Sequence, residues 1–385
     1  MKTSSQPQPG AMTGRMLEGI SSWHVAFTQD CNLRCRYCVT GHGAMGDPPA
    51  AMTPQVWRDF VSLAIDDAQP GSKKGFSFGC GETFLHFGRF IDAVDHLYER
   101  AHKAQVQVTC EVTTNGVLLD EKKMEALAKR RVFLTFSIDG PAKINDANRV
   151  NIAGDGAFAA AMANWEKYRQ ITATLPDPPS VSVQSVISDS SDLYEVARFW
   201  REREQKVFLD LVAEPPFASG LEEMERWEAR RIRYLESFEK LAMEQARKLS
   251  VPFFLSEYRG PKSLFDIWTT LFFERSHGSC GAGISVMAID VRGRLLPCEK
   301  FIGSDNWIMG DTSGVLNRKR LFDFRLVADA LASSCAGCHA GPACQGGCLA
   351  ATPGMGLSLN HANGCDFAKK VEGIARRSFD ILCAE

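Results

Sequence analysis

Hydrophobic positions along the chain follow two alternating patterns. Short apolar runs rich in β-branched and aromatic residues predict buried strands, and the segments between them have the spacing of helices with one apolar face. The predicted strands are 22–27, 75–79, 106–113, 132–137, 180–187 and 207–212. The predicted helices are 54–68, 88–103, 121–130, 157–170 and 193–204.

This alternation is typical of β/α units around a parallel sheet, and it predicts an α/β fold with a partial (β/α)6 barrel. Functional residues are then expected in the loops that follow the strands. A charged helical stretch over 221–249 leads into a tail rich in Cys and Gly. The predicted division is a flexible tail over 1–18, the barrel over 19–212, a helical connecting segment over 213–279 and a small Cys-rich domain over 280–385.

Composition and charge exclude several classes of protein. The 385 residues are 45% hydrophobic, which is enough to bury one large core or two smaller ones. A formal net charge of -2 provides no basic field for a nucleic-acid backbone. No apolar run is long enough to span a bilayer, and the first ten residues, MKTSSQPQPG, lack the apolar stretch of a signal peptide. We therefore expect a soluble, cytoplasmic protein that binds neither nucleic acid nor membrane.

The cysteines are distributed unevenly. Of the 13 in the chain, three lie between positions 31 and 38 and seven lie between positions 280 and 365. Without an export signal this number does not indicate disulfides, and the tight spacings are typical of metal or cluster ligation.

The first group of cysteines follows the first predicted strand. Cys31, Cys35 and Cys38 form a CxxxCxxC motif on one loop. Three thiolates leave one iron of a four-iron cluster without a protein ligand, and such an iron can bind a small molecule. A structural zinc site would need a fourth protein ligand, such as a distant His. The spacing, the position after a strand and Tyr37 before the last cysteine favour the cluster.

With this motif the chain resembles the radical S-adenosylmethionine (SAM) superfamily, whose members carry CxxxCxxC on the first barrel loop. The resemblance implies a 4Fe-4S cluster whose open iron binds the amino and carboxylate groups of SAM. It also implies that an electron, from a donor such as flavodoxin or ferredoxin, cleaves SAM into methionine and a 5′-deoxyadenosyl radical. The protein would then orient the reactants and protect the radical from water.

Three later segments, each at the end of a predicted strand, extend the resemblance. Residues 80–83, Cys-Gly-Glu-Thr, stand in the place of the family's Gly-Gly-Glu-Pro loop, although Cys80 replaces a glycine, and residues 113–116 resemble its TNG segment. Ser-Ile-Asp-Gly-Pro at 137–141, followed by Asn-Arg at 148–149, resembles anaerobic sulfatase-maturing enzymes, whose serine contacts the SAM ribose and whose arginine contacts the SAM carboxylate. The residues implied to bind the cofactor are Tyr37, Gly81, Glu82, Asn115, Ser137 and Arg149.

The second group of cysteines resembles the SPASM domain of radical SAM peptide maturases, which holds auxiliary iron-sulfur clusters. The resemblance assigns one cluster to Cys280, Cys298 and Cys348, and a second to Cys335, Cys338, Cys344 and Cys365. Two four-iron clusters need eight ligands, so the first is expected to have an open iron, filled by substrate, Cys383, a carboxylate or water. A zinc ribbon is the alternative, but it would use four cysteines and leave three unexplained. Cys80 and Cys110 have no assignment, and a buried thiol that packs as a small hydrophobe accounts for Cys110.

Glu299 follows Cys298, where sulfatase-maturing enzymes carry an aspartate that acts as general base. A substrate radical often loses a proton as its electron departs, so a carboxylate beside a cluster ligand is suited to that role. A surface acid on the Pro-Cys-Glu-Lys turn is the alternative.

Three functions follow from the sequence. The first is oxidative modification of a peptide or protein, such as a thioether or carbon-carbon crosslink on a short ribosomal peptide. The second is conversion of a Cys or Ser of a sulfatase to formylglycine, against which the change from aspartate to Glu299 weighs. The third is a non-catalytic iron-sulfur electron carrier, which would have no need of the residues that contact SAM.

Overall fold

A parallel sheet organises the chain. The computed structural model describes residues 17–38, 40–43, 48–66, 68–205, 207–211, 221–248, 268, 281–334, 337–338, 349–351 and 361–384. The first six strands are β1 Ser22–Ala26, β2 Lys73–Gly79, β3 Gln107–Thr114, β4 Phe133–Ser137, β5 Val181–Ile187 and β6 Val207–Leu211. They lie in the order β6-β5-β4-β3-β2-β1, and each pairs in parallel with its neighbour.

Helices make the crossovers that parallel strands require. They are α1 Pro54–Val61, α2 Phe87–Lys103, α3 Glu121–Lys129, α4 Ala142–Asp146, α5 Phe158–Ala173 and α6 Leu193–Arg201, and α7 Leu221–Lys248 follows the last of these strands. Side chains of Thr53, Asp120 and Asp192 accept hydrogen bonds from backbone N–H groups in the first turns of α1, α3 and α6. These caps fix where each helix begins.

The two faces of the sheet differ in chemistry. On one face Phe76 and Phe78 of β2 pack edge-on against the buried rings of Phe60 and Phe90. Successive residues of a strand point to opposite faces, so the residues between these apolar positions face the interior of the barrel. Several of these are polar and line a common cavity: Ser77, Thr113, Ser137 and Gln184. The apolar face stabilises the fold, and the polar face is open to ligands.

The sheet continues into the C-terminal part of the chain. β7 Val286–Ile289 pairs in parallel with β1, and β8 Arg294–Leu296 and β9 Gly310–Asp311 follow as antiparallel strands. Two long helices, α8 Arg318–Ser334 and α9 His361–Ala384, lie beyond them. The sheet therefore contains strands from both sides of position 280. The division into domains at that position stays a prediction. None of the described helices has the length and apolar character needed to cross a membrane.

The six predicted strands and the helices between them are confirmed, with small shifts at their ends. The helix predicted over 54–68 is divided, because α1 ends at Val61 and a π-helical turn follows over Ser62–Asp66. The sequence did not reveal β7 to β9, which have four residues or fewer. Such short strands have too few positions to show an alternating pattern.

Candidate active site

A cavity of about 360 Å³ opens at the carboxyl ends of the parallel strands. Its size lies in the range of roughly 300–1,000 Å³ that is typical of small-molecule sites. It gathers most of the site residues predicted in the barrel, together with Glu299 from beyond position 280: Cys31, Cys35, Cys38, Gly81, Glu82, Asn115, Ser137, Arg149 and Glu299. Residues that lie far apart in the sequence therefore share one space.

The three thiols of the CxxxCxxC loop line this cavity. Cys31 Sγ accepts a hydrogen bond from Leu33 N at 3.4 Å, and Cys38 Sγ accepts one from His42 N at 3.1 Å. Within the described residues, no three His, Cys, Asp or Glu side chains surround a point where a single metal ion could bind. A four-iron cluster would suit this arrangement, because each of the three cysteines would bind a different iron and the backbone donors would stabilise the charged sulfurs.

Gly81 is the residue of the 80–83 loop that has no room for a side chain. A Cβ at this position would lie 2.7 Å from Thr28 O and closer still to Asp30 O, and Glu82 N donates to Asp30 O at 2.8 Å. The loop therefore packs against the backbone that leads into the cluster cysteines. Cys80 has a left-handed φ of 79° and lines the cavity, so its side chain does not prevent this close approach.

Glu82 joins two of the predicted loops. Its side chain is buried, and the carboxylate accepts hydrogen bonds from Asn115 N at 2.8 Å and Thr114 Oγ1 at 2.9 Å. Asn115 in turn donates through Nδ2 to Asn32 Oδ1 at 2.8 Å and to Cys31 Sγ at 3.8 Å. Burial raises the pKa of Glu82 to about 7 against the opposing effect of the hydrogen bonds that it accepts. Glu82 and Asn115 therefore connect the loops after β2 and β3 to the cluster loop.

Arg149 is buried beside the cluster loop. Its Nη2 lies 3.0 Å from Asp139 Oδ1, and its guanidinium lies 5.5 Å from the centre of the Tyr37 ring. The hydroxyl of Tyr37 donates a hydrogen bond to the other carboxylate oxygen of Asp139, Oδ2. Burial alone would lower the pKa of Arg149, but the negative charge of Asp139 raises it, so the group is a permanent cation. Its Nε is buried without a hydrogen-bond partner in the described part of the chain, which suits an anionic ligand in the cavity.

Glu299 reaches the cavity from the segment that follows β8. It begins a short 3-10 helix, Glu299–Phe301, and its Oε2 contacts Nδ1 of His24 on β1. The side chains of His24 and Glu299 are 28% and 37% exposed. Burial, with a smaller effect from Lys300, lowers the pKa of His24. Glu299 is therefore part of the cavity wall and contacts another titratable group, in contrast to an isolated surface acid.

The C-terminal cysteines are described only in part. Cys298 and Cys365 are partly buried, and Cys338 is exposed. The remaining predicted ligands lie outside the described residues: Cys280, Cys335, Cys344 and Cys348. Cys110 is fully buried in β3, as expected of a packed thiol, and Cys383 is exposed. The two auxiliary clusters therefore stay a prediction.

The sequence assigned no role to several residues that line this cavity or contact its lining. His24 and Gln184 face the barrel interior from strands, and Asp139 follows β4. A polar residue that alternates with buried neighbours in a strand was the available signal for His24. That signal cannot separate a site residue from one that only faces water, because both give the same pattern.

The fold and the cavity define a class of enzyme. Residues 25–174 match the model of the Radical SAM superfamily. The chain thus contains a radical SAM domain over these residues, the domain of a class of enzyme that uses SAM and a 4Fe-4S cluster.

Individual relatives cover most of the chain. It is 26% identical over 372 residues to the mycofactocin maturase MftC of Mycolicibacterium smegmatis, which covers 93% of this chain and 86% of that protein. It is 22% identical over 343 residues to a cysteine-type anaerobic sulfatase-maturating enzyme of Clostridium perfringens, which covers 83% of this chain and 85% of that protein. A structure of native anSMEcpe with bound AdoMet and Cp18Cys peptide superposes with a TM-score of 0.73 at 18% identity, covering 94% of this chain and 99% of that one. The fold is shared with that structure.

Proposed function

We propose that this enzyme oxidatively modifies a peptide or protein, with a thioether or carbon-carbon crosslink as the product. The observation that carries the proposal is the shared cavity, in which the thiols of the cluster loop, Arg149 and Glu299 line one space. The names of two relatives, a mycofactocin maturase and a sulfatase-maturating enzyme, support a peptide or protein substrate.

The residues predicted to bind the cofactor have separate proposed tasks. Cys31, Cys35 and Cys38 bind the 4Fe-4S cluster, Ser137 bonds the ribose of SAM, and Arg149 bonds its carboxylate. Further contacts are proposed for Tyr37, Gly81, Glu82 and Asn115. When bound, SAM and its cluster supply a 5′-deoxyadenosyl radical that removes a hydrogen atom from a substrate side chain.

Glu299 is the proposed proton acceptor. Formation of a crosslink removes two hydrogens in total, the first as an atom and the second as a proton and an electron. The carboxylate of Glu299 lines the cavity, where it can take that proton from the substrate radical. The electron needs an acceptor, and we propose the auxiliary clusters of the C-terminal cysteines for this role. We also propose a flavodoxin or ferredoxin as the donor to the first cluster.

The test is co-expression with short open reading frames that neighbour the gene, followed by mass spectrometry of each encoded peptide. Crosslinking predicts a peptide that lacks two hydrogens, with 5′-deoxyadenosine formed by the anaerobically reconstituted enzyme. A non-catalytic electron carrier would form no 5′-deoxyadenosine with SAM and reductant, so its formation excludes that function. If only a sulfatase-derived peptide is modified, the crosslinking proposal is wrong.

Formylglycine formation is the second candidate. It is favoured by the similarity to the Clostridium perfringens enzyme along most of the chain. An incubation with peptides that present Cys or Ser in a sulfatase sequence separates the two candidates. An aldehyde in the product, trapped by a hydrazine, supports formylglycine, and a crosslinked product does not react.

A further inference from the structure

Asp139 lies at the centre of a buried hydrogen-bond network behind the cluster loop. Its side chain is fully buried, two residues beyond the end of β4. Oδ1 accepts from Arg149 Nη2 and from Val186 N, each at 3.0 Å, and Oδ2 accepts from the hydroxyl of Tyr37. A buried carboxylate requires such partners, since an uncompensated charge in the interior is costly. The network thus satisfies the carboxylate, and both Tyr37 and Arg149 depend on it.

The two partners of Asp139 belong to different functional segments. Tyr37 lies between Cys35 and Cys38 in the cluster loop, whereas Arg149 follows the SIDGP segment and lines the cavity. The backbone joins the same two segments, because Arg34 N donates to Val150 O at 2.6 Å. The cluster loop and the segment that carries Arg149 are therefore connected by a backbone hydrogen bond as well as through Asp139.

The contact between Arg149 and Asp139 leaves the buried Nε of Arg149 without a partner among the described residues. A guanidinium has five N–H groups in a fixed planar arrangement. Asp139 holds Nη2. Since the group is planar, the contact at Nη2 and the Tyr37 ring, whose centre is 5.5 Å from the guanidinium, together restrict the direction in which Nε points.

We propose that Asp139 is a positioning residue that orients Arg149 for the SAM carboxylate and, through Tyr37, couples that contact to the cluster loop. Asp139 acts through these two side chains and touches neither SAM nor iron. The inference rests on the proposed contact between Arg149 and SAM. It does not depend on the substrate or on the bond that the enzyme makes.

The test compares Asp139→Asn with a matched control, Asp290→Asn. Asp290 is also fully buried, and it pairs with Arg294 through Nε at 2.5 Å and accepts from Arg292 N at 2.9 Å, but it lies in the turn between β7 and β8. Both variants are reconstituted with iron and sulfide. SAM binding is then measured by the change that SAM causes in the EPR spectrum of the reduced cluster, with circular dichroism and thermal unfolding as checks on folding.

Asp139→Asn is expected to weaken SAM binding about tenfold or more, as loss of a hydrogen bond between charged groups does, and to alter the EPR spectrum of the SAM-bound cluster. Asp290→Asn is expected to bind SAM as the wild type does. A folded Asp139→Asn protein with wild-type SAM affinity and an unchanged spectrum would overturn the proposal.

Tyr37→Phe provides a second route in case Asp139→Asn does not fold. It removes the hydroxyl that donates a hydrogen bond to Asp139 but keeps the aromatic ring that Arg149 lies over. We expect weaker SAM binding in Tyr37→Phe, and unchanged affinity would contradict the proposal. In the double variant the two losses should not add, because both changes break one network. Additive losses would show that Asp139 does not act through Tyr37.

Discussion

Single residues at this site are constrained by the backbone around them as well as by their own chemistry. Gly81 is one case, because a Cβ would press on the carbonyl oxygens of Thr28 and Asp30 just before the cluster cysteines. We expect Gly81→Ala to cost about 1–3 kcal/mol of stability, as overpacking does, and to reduce iron retention by displacing the cluster loop. Thermal unfolding and iron analysis check both effects.

The matched control for this prediction is Gly88→Ala. Gly88 lies in the first turn of α2, and a Cβ there would meet no atom within 4 Å. Alanine is the better helix former, so this variant should retain iron and be at least as stable as the wild type. If Gly81→Ala behaves like Gly88→Ala, the close contact does not constrain the loop.

Glu299 allows a second prediction at this scale. Glu299→Gln keeps the shape of the side chain but cannot accept a proton, so we expect product formation to fall by roughly 10²-fold or more. Formation of 5′-deoxyadenosine should continue, because hydrogen abstraction precedes proton loss. Both products are measured by mass spectrometry in one incubation, with Glu299→Asp as the conservative variant. Undiminished product from Glu299→Gln would exclude Glu299 as the base.

At the scale of whole elements, the strands could be predicted because each presents a continuous apolar face to the helices. Phe76 and Phe78 in β2 show this pattern clearly. The opposite faces could not be assigned in the same way, since His24 and Asp139 acquire their roles only from partners far away in the sequence. The cluster cysteines were predictable because their spacing is local. The contact of Cys31 with Asn115, and through it with Glu82, depends on the sheet, which brings the ends of β1, β2 and β3 together.

Strand β3 allows a prediction about the cysteine on its buried face. Cys110 is fully buried on the helix side of the strand, and burial raises its pKa to about 12, so the thiol is uncharged at neutral pH. We expect Cys110→Ala to cost about 1 kcal/mol for the small cavity and to leave the iron content unchanged. Chemical denaturation and iron analysis test this. Loss of a cluster from this variant would show that Cys110 is a ligand.

At the scale of the whole molecule, one sheet connects the cavity with the region that carries the C-terminal cysteines. β7 pairs with β1, and Cys298 and Glu299 follow β8, so a residue from beyond position 280 reaches the cavity wall. Glu299 as proton acceptor and Cys298 as cluster ligand are adjacent in the chain. A substrate radical in the cavity would then lose its proton and its electron to neighbouring groups. This arrangement is the physical reason to expect that the C-terminal cysteines hold redox-active clusters and not zinc, which has no redox chemistry.

The metal content of the whole chain tests this expectation. Three four-iron clusters require about 12 irons in the reconstituted protein, and the variant with Cys31, Cys35 and Cys38 all changed to Ala should retain about 8. That variant should form no 5′-deoxyadenosine, because the cluster that binds SAM is lost. If the C-terminal cysteines hold zinc instead, metal analysis will find zinc and only about 4 irons in the wild type, and almost none in the triple variant. Iron retained in the triple variant, with an EPR signal on reduction, therefore locates the auxiliary clusters outside the radical SAM loop.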